Sequence, residues 1–87
     1  MSYSVTWTET ALNELRQLDP AVARRIVQAV DRFAIAEQGN VRQLTGYDPP
    51  EWRLRVGDWR VRFNGNSQER GIVILHVLHR SEAYRGR

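Results

Sequence analysis

Apolar and polar residues alternate through Tyr3-Ser4-Val5-Thr6-Trp7, the period of a short strand. The spacing then becomes helical. Ala11, Leu12, Leu15 and Leu18 fall on one face of a helix over about 8–18, with Thr8 as N-cap and Glu9 adding negative charge to the first turn. Asp19-Pro20 restarts the pattern, with Asp at the cap and Pro at the first helical position. Val22, Ile26, Ala29, Val30 and Phe33 carry the apolar stripe of a second helix over about 20–37, ended by Gly39-Asn40. The two helices form an antiparallel hairpin with one apolar face to cover. Residues 41–50 read as a connection, broken by Gly46 and Pro49-Pro50 and anchored by Leu44.

Strict alternation resumes at Trp52-Arg53-Leu54-Arg55-Val56 and continues through Trp59-Arg60-Val61-Arg62-Phe63. Gly57-Asp58 between them predicts a two-residue hairpin of type II′ or I′. That turn sets Arg55 opposite Arg60 and Arg53 opposite Arg62, and places Trp52, Leu54, Val56, Trp59, Val61 and Phe63 on the other, core-forming face. Residues 65–71 form a polar loop. Ile72-Val73-Ile74-Leu75-His76-Val77-Leu78 is apolar on both faces and reads as a covered interior strand. The basic tail 79–87 closes the chain. The expected fold is α+β: an antiparallel sheet in β-α-α-β-β-β order, with the helical hairpin packed on one face of a single domain, 1–87. The arginine face is left open.

Composition narrows the chemistry. The chain has 87 residues, no cysteine and no apolar run long enough for a membrane span. Thiolate metal sites and disulfides are excluded, no secretory signal opens the chain, and a cytoplasmic protein without cofactor or metal is expected. Net charge is +3, and all 13 basic residues are arginine. Codon bias accounts for the missing lysines but not for where the arginines sit. Two directly opposed arginine pairs cost a sheet roughly 0.2–1 kcal/mol each. With no acid between them, the four arginines suit a polyanion, because guanidinium forks grip phosphate bidentately.

Three stretches carry a resemblance. Leu44-Thr45-Gly46 precedes the hairpin, Trp52–Phe63 looks like the hairpin "YRLRVGDYRVIY", and Val77-Leu78-His79-Arg80-Ser81-Glu82-Ala83-Tyr84-Arg85 looks like the ending "VGHRREVYR". With the element order, these make the whole chain resemble the RelE/ParE family of bacterial toxins, the toxic halves of toxin–antitoxin pairs. The resemblance implies an acidic cognate antitoxin as partner. It implies one of two activities: cleavage of mRNA, typically in the ribosomal A site, or poisoning of DNA gyrase without enzymatic activity. The RNase-type site falls on Arg53, Arg55, Arg60, Arg80 and Tyr84, all filled with suitable chemistry, which favours the RNase branch. Some of these RNases place a glutamate before the hairpin, where this chain has Arg42-Gln43.

Metal-independent RNA cleavage needs a base for the 2′-hydroxyl, cations for the phosphorane and an acid for the 5′-oxygen. Arginines supply the cations but make poor bases. His76 and His79 are the side chains that ordinarily titrate near neutrality. In an extended strand His76 shares parity with Ile72, Ile74 and Leu78 and reads as a core histidine, while His79 lies on the other face; only one of them can join the arginines unless the strand bends at its end, and the resemblance points to His79. His79 or Tyr84 is therefore expected to move the protons. Arg85 and Arg87 add diffuse attraction for RNA, and Arg24, Arg25 and Arg32 form a solvated helix face or part of an antitoxin interface. A third possibility is a pure interaction module, whose arginine face docks an acidic segment.

Overall fold

The computed structural model describes residues 2–66 and 68–83. Its elements are β1 (Ser4–Trp7), α1 (Glu9–Arg16), α2 (Pro20–Ala36), β2 (Asn40–Gln43), β3 (Trp52–Val56), β4 (Trp59–Asn66) and β5 (Gly71–His79). The strands form one sheet in the order β1-β5-β4-β3-β2.

The helix starts follow the sequence signals. The Thr8 hydroxyl oxygen accepts from the Ala11 N–H at 3.1 Å, and the Asp19 carboxylate accepts from the Ala21 N–H at 3.4 Å with Pro20 in the first turn. Glu37, with φ 55°, ends α2 in the left-handed region and donates its N–H to the Phe33 carbonyl. Both helices pack on one face of the sheet. There Ala11, Ile26, Val30 and Ala34 meet Leu54, Val56, Val61, Phe63, Ile72, Ile74 and Val77, all buried. Trp52 and Trp59 pack against this cluster, as the alternation requires.

The α+β class, the helical hairpin and the arginine hairpin stand as expected, and three details differ. First, β1 pairs with β5 in parallel, so the sheet is mixed. Four alternating residues specify a face but no direction, and the helical crossover makes a parallel neighbour possible. Second, Asn40–Gln43, expected to be connection, is an edge strand antiparallel to β3. Third, the β4–β5 register shifts between Arg62 and Phe63: Phe63 pairs with Ile74 but Arg62 with His76, leaving Leu75 as an extra residue in a bulge. Val77 is consequently buried on the same side as Ile72 and Ile74.

Beyond Ile74, β5 has no strand on its β1 side, and α1 closes that edge. The Thr8 N–H and hydroxyl donate to the Ile74 carbonyl at 3.1 and 2.8 Å. The Glu14 carboxylate accepts from the Val77 N–H at 2.8 Å and lies 3.3 Å from His76 Nδ1. No helix among the described residues is long and apolar enough to cross a membrane.

Candidate functional site

The hairpin register is the one its two-residue turn dictates, with Arg53 opposite Arg62 and Arg55 opposite Arg60. Gly57 has φ 59°, the positive value a type II′ turn needs at its first position. Two cross-strand rows result. One runs Arg42, Arg53, Arg62, His76; the next runs Asn40, Arg55, Arg60, Leu78.

The first row is turned inward. Arg53 and Arg62 are each only 8% exposed. Arg53 Nη1 donates to the backbone carbonyl of Asn40 at 2.8 Å and to its side-chain oxygen at 3.1 Å, which pins edge strand β2. Arg62 Nη2 pairs with Glu51 Oε2 at 2.6 Å, its Nη1 donates to the Ala83 carbonyl at 3.2 Å, and its guanidinium lies 4.7 Å above the Tyr47 ring. The expectation that no acid stands among the four arginines is therefore corrected. Glu51 shares parity with Arg53 and Arg55 and neutralises Arg62 from the residue preceding β3. Separate acceptors relieve the Arg53–Arg62 repulsion, and both side chains serve the fold.

The second row faces water. Arg55 is exposed. Arg60 is half-buried, and its Nη1 folds back onto the hairpin turn, donating to the carbonyls of Gly57 and Trp59 at 2.9 and 3.0 Å. Arg80 follows β5, two residues beyond Leu78, and so keeps the parity of Arg60. Its N–H donates to the Asp58 carbonyl at 2.8 Å, and its Nε lies 3.9 Å from the Asp58 carboxylate, with the guanidinium side chain 63% exposed. The hairpin turn thus gathers Arg55, Arg60 and Arg80 at one end of the sheet. A pair as exposed as Arg80–Asp58 contributes little to stability and leaves the guanidinium available.

His79 is not brought to these arginines. It pairs with Trp59, and the two rings meet edge to face at 5.4 Å on the helix side of the sheet. The Leu75 bulge has shifted the pleat by one residue. The Ser81 N–H donates to His79 Nδ1 at 3.3 Å, and the Ser81 hydroxyl lies 3.0 Å from the same nitrogen. His76, expected as a core histidine on the face of Ile72 and Ile74, stands instead opposite Arg62, because the Leu75 bulge turns it over; it is half-buried 3.3 Å from the Glu14 carboxylate. Tyr84, Arg85 and Arg87 lie outside the described residues, whose last member is the fully buried Ala83. Among the described residues no group of acids and histidines could hold a metal ion.

The family described as "ParE toxin of type II toxin-antitoxin system, parDE" matches residues 5–84. Toxin RelG of Mycobacterium tuberculosis is 31% identical over 94 residues, spanning 98% of this chain and 99% of RelG. A chain of the archaeal RelE–RelB complex from Pyrococcus horikoshii superposes with a TM-score of 0.77 at 28% identity, covering 95% of this chain and 100% of that one. A chain of the RelBE2 toxin–antitoxin complex of M. tuberculosis has the same fold, with a TM-score of 0.72 at 24% identity over 92% of this chain and 100% of its own. The match runs over essentially the whole chain, and the chain belongs to the RelE/ParE family of type II toxin–antitoxin toxins, on its RelE-like side.

Proposed function

We propose that this toxin cleaves mRNA, in the ribosomal A site, and that a cognate acidic antitoxin holds it inactive. The observation that carries the reading is the solvent-facing cluster of Arg55, Arg60 and Arg80 around the hairpin turn. The 2′-oxygen of the RNA loses its proton and attacks the adjacent phosphorus. The 2′-O–P bond forms, the P–O5′ bond breaks, and the products are a 2′,3′-cyclic phosphate and a 5′-hydroxyl. The three guanidiniums neutralise the additional charge of the phosphorane, while Arg53 holds the first hairpin strand against β2. His79, beside Trp59, is poorly placed for proton transfer, which assigns that role to Tyr84.

Ribosomes programmed with a defined message test this directly. Arg60→Ala and Arg80→Ala should each slow cleavage by about 10²–10³ while leaving the fold intact. Undiminished cleavage by both variants would remove the proposal. Tyr84→Phe should slow cleavage without weakening RNA binding.

A second reading is a gyrase poison on the same fold. It is favoured by the absence of a free general base on the arginine face among the described residues. The order of events in cells separates the two readings. Loss of DNA synthesis while messages stay whole supports gyrase; new 5′ ends within messages before replication stops support the RNase.

A further inference from the structure

We propose that Arg62 is a positioning residue that holds the turn carrying Arg80 in register with the arginine face. The inference rests on the RNase reading above and adds a residue to it. Arg62 sits in β4, the middle strand of the sheet, and reaches two separate parts of the chain, the segment before β3 and the C-terminal turn. Its guanidinium binds Glu51 at 2.6 Å, covers the ring of Tyr47 at 4.7 Å and donates to the carbonyl of Ala83 at 3.2 Å.

Stability alone does not call for a guanidinium here. A buried ion pair is often matched or bettered by apolar residues of similar volume. An apolar side chain could fill this space, but it could not donate to the Ala83 carbonyl. The fork geometry of arginine allows one nitrogen to be spent on Glu51 and another on the C-terminal turn.

The turn is held at both ends. The Arg80 N–H donates to the Asp58 carbonyl at 2.8 Å, and the Glu82 N–H donates to the His79 carbonyl at 2.8 Å. At the far end Ala83 is fully buried, and its carbonyl is the acceptor of Arg62. Arg62 thereby sets where the turn ends, and the chain passes from Ala83 directly into Tyr84. Two side chains assigned to the reaction flank a segment whose exit is fixed by a third.

The test uses the Glu51→Met/Arg62→Met double variant, which removes the tether without stranding a buried charge. It should unfold at a midpoint near that of the wild type. On programmed ribosomes its cleavage rate should fall by about 10²-fold, the scale of a small misplacement of a catalytic group, while half-saturation with ribosomes stays unchanged. Adding Arg80→Ala to the double variant should then cost no more than about twofold, although the same change costs the wild type far more, because coupled sites are not additive. Full activity in the double variant, or losses that simply multiply, would overturn the proposal.

Amide hydrogen exchange gives a readout independent of RNA. Exchange at residues 81–83 should quicken in the double variant relative to β1, and unchanged exchange there overturns the proposal. If the wild type cleaves no RNA, the RNase reading falls. The exchange result then decides: faster exchange keeps Arg62 as the residue that positions the turn, and unchanged exchange removes it.

Discussion

The four arginines of one hairpin occupy different surroundings, and substitution should separate them. Arg55 is exposed, so Arg55→Ala should change stability by less than about 0.5 kcal/mol while weakening RNA binding. Arg53 is buried on two oxygens of Asn40, and Arg53→Ala should cost roughly 1–3 kcal/mol in denaturant unfolding by leaving those acceptors unmet. Arg62→Met alone should be the most damaging, at about 3–5 kcal/mol, because it leaves the Glu51 carboxylate buried without its partner. The Glu51→Met/Arg62→Met double variant should recover most of that loss. Equal effects of the single and double changes would show that the ion pair is not the cause. The sequence alternation placed all four arginines on one face and gave their register. It did not say which would be buried. That depends on how the 44–51 segment and the C-terminal turn fold over the sheet, although the parity of Glu51 was a readable sign.

At the level of elements, the two helices and the hairpin were legible because each has a strong period and a chemical boundary: Thr8, Asp19-Pro20 and Gly57. β2 was not, since Asn40–Gln43 offers one apolar residue in four and is a strand only because β3 presents an edge to it. The closure of β5 by α1 was also hidden, because Glu14 sits on a helix and serves a strand 63 residues away. It yields a test. Glu14→Ala should cost roughly 1–3 kcal/mol of unfolding free energy, since the Val77 N–H loses a charged acceptor. Thermal or urea unfolding would report it, and an unchanged midpoint would show that water replaces the carboxylate.

For the molecule as a whole, the net charge of +3 favours polyanions in general, but the face proposed to meet RNA is narrower than the arginine count implies. With three guanidiniums at the hairpin turn facing solvent, the logarithm of RNA affinity should fall with the logarithm of salt at about −0.7 per phosphate contact, a slope near −2. A slope twice as steep in a salt titration would mean that other arginines reach the RNA. The family and its antitoxin partnership were legible from the hairpin and the ending. The face on which His79 stands was not, because it turns on one irregularity that no periodicity announces.

That irregularity is Leu75. In an uninterrupted β5, His79 would stand among the arginines and Arg80 would turn toward Trp59. Setting that residue aside reverses the phase of everything after it relative to an unbulged strand, so that the sheet's basic end receives Arg80 where His79 would otherwise stand. The bulge works as a parity correction: the odd residue is set aside so that those after it keep their faces. Deleting Leu75 would therefore take out the bulge and keep His76 opposite Arg62 and His79 opposite Trp59, so Arg80 would stay at the basic end. Cleavage by a Leu75 deletion variant should stay near that of the wild type, and a loss as large as that of Arg80→Ala would refute this reading of the bulge.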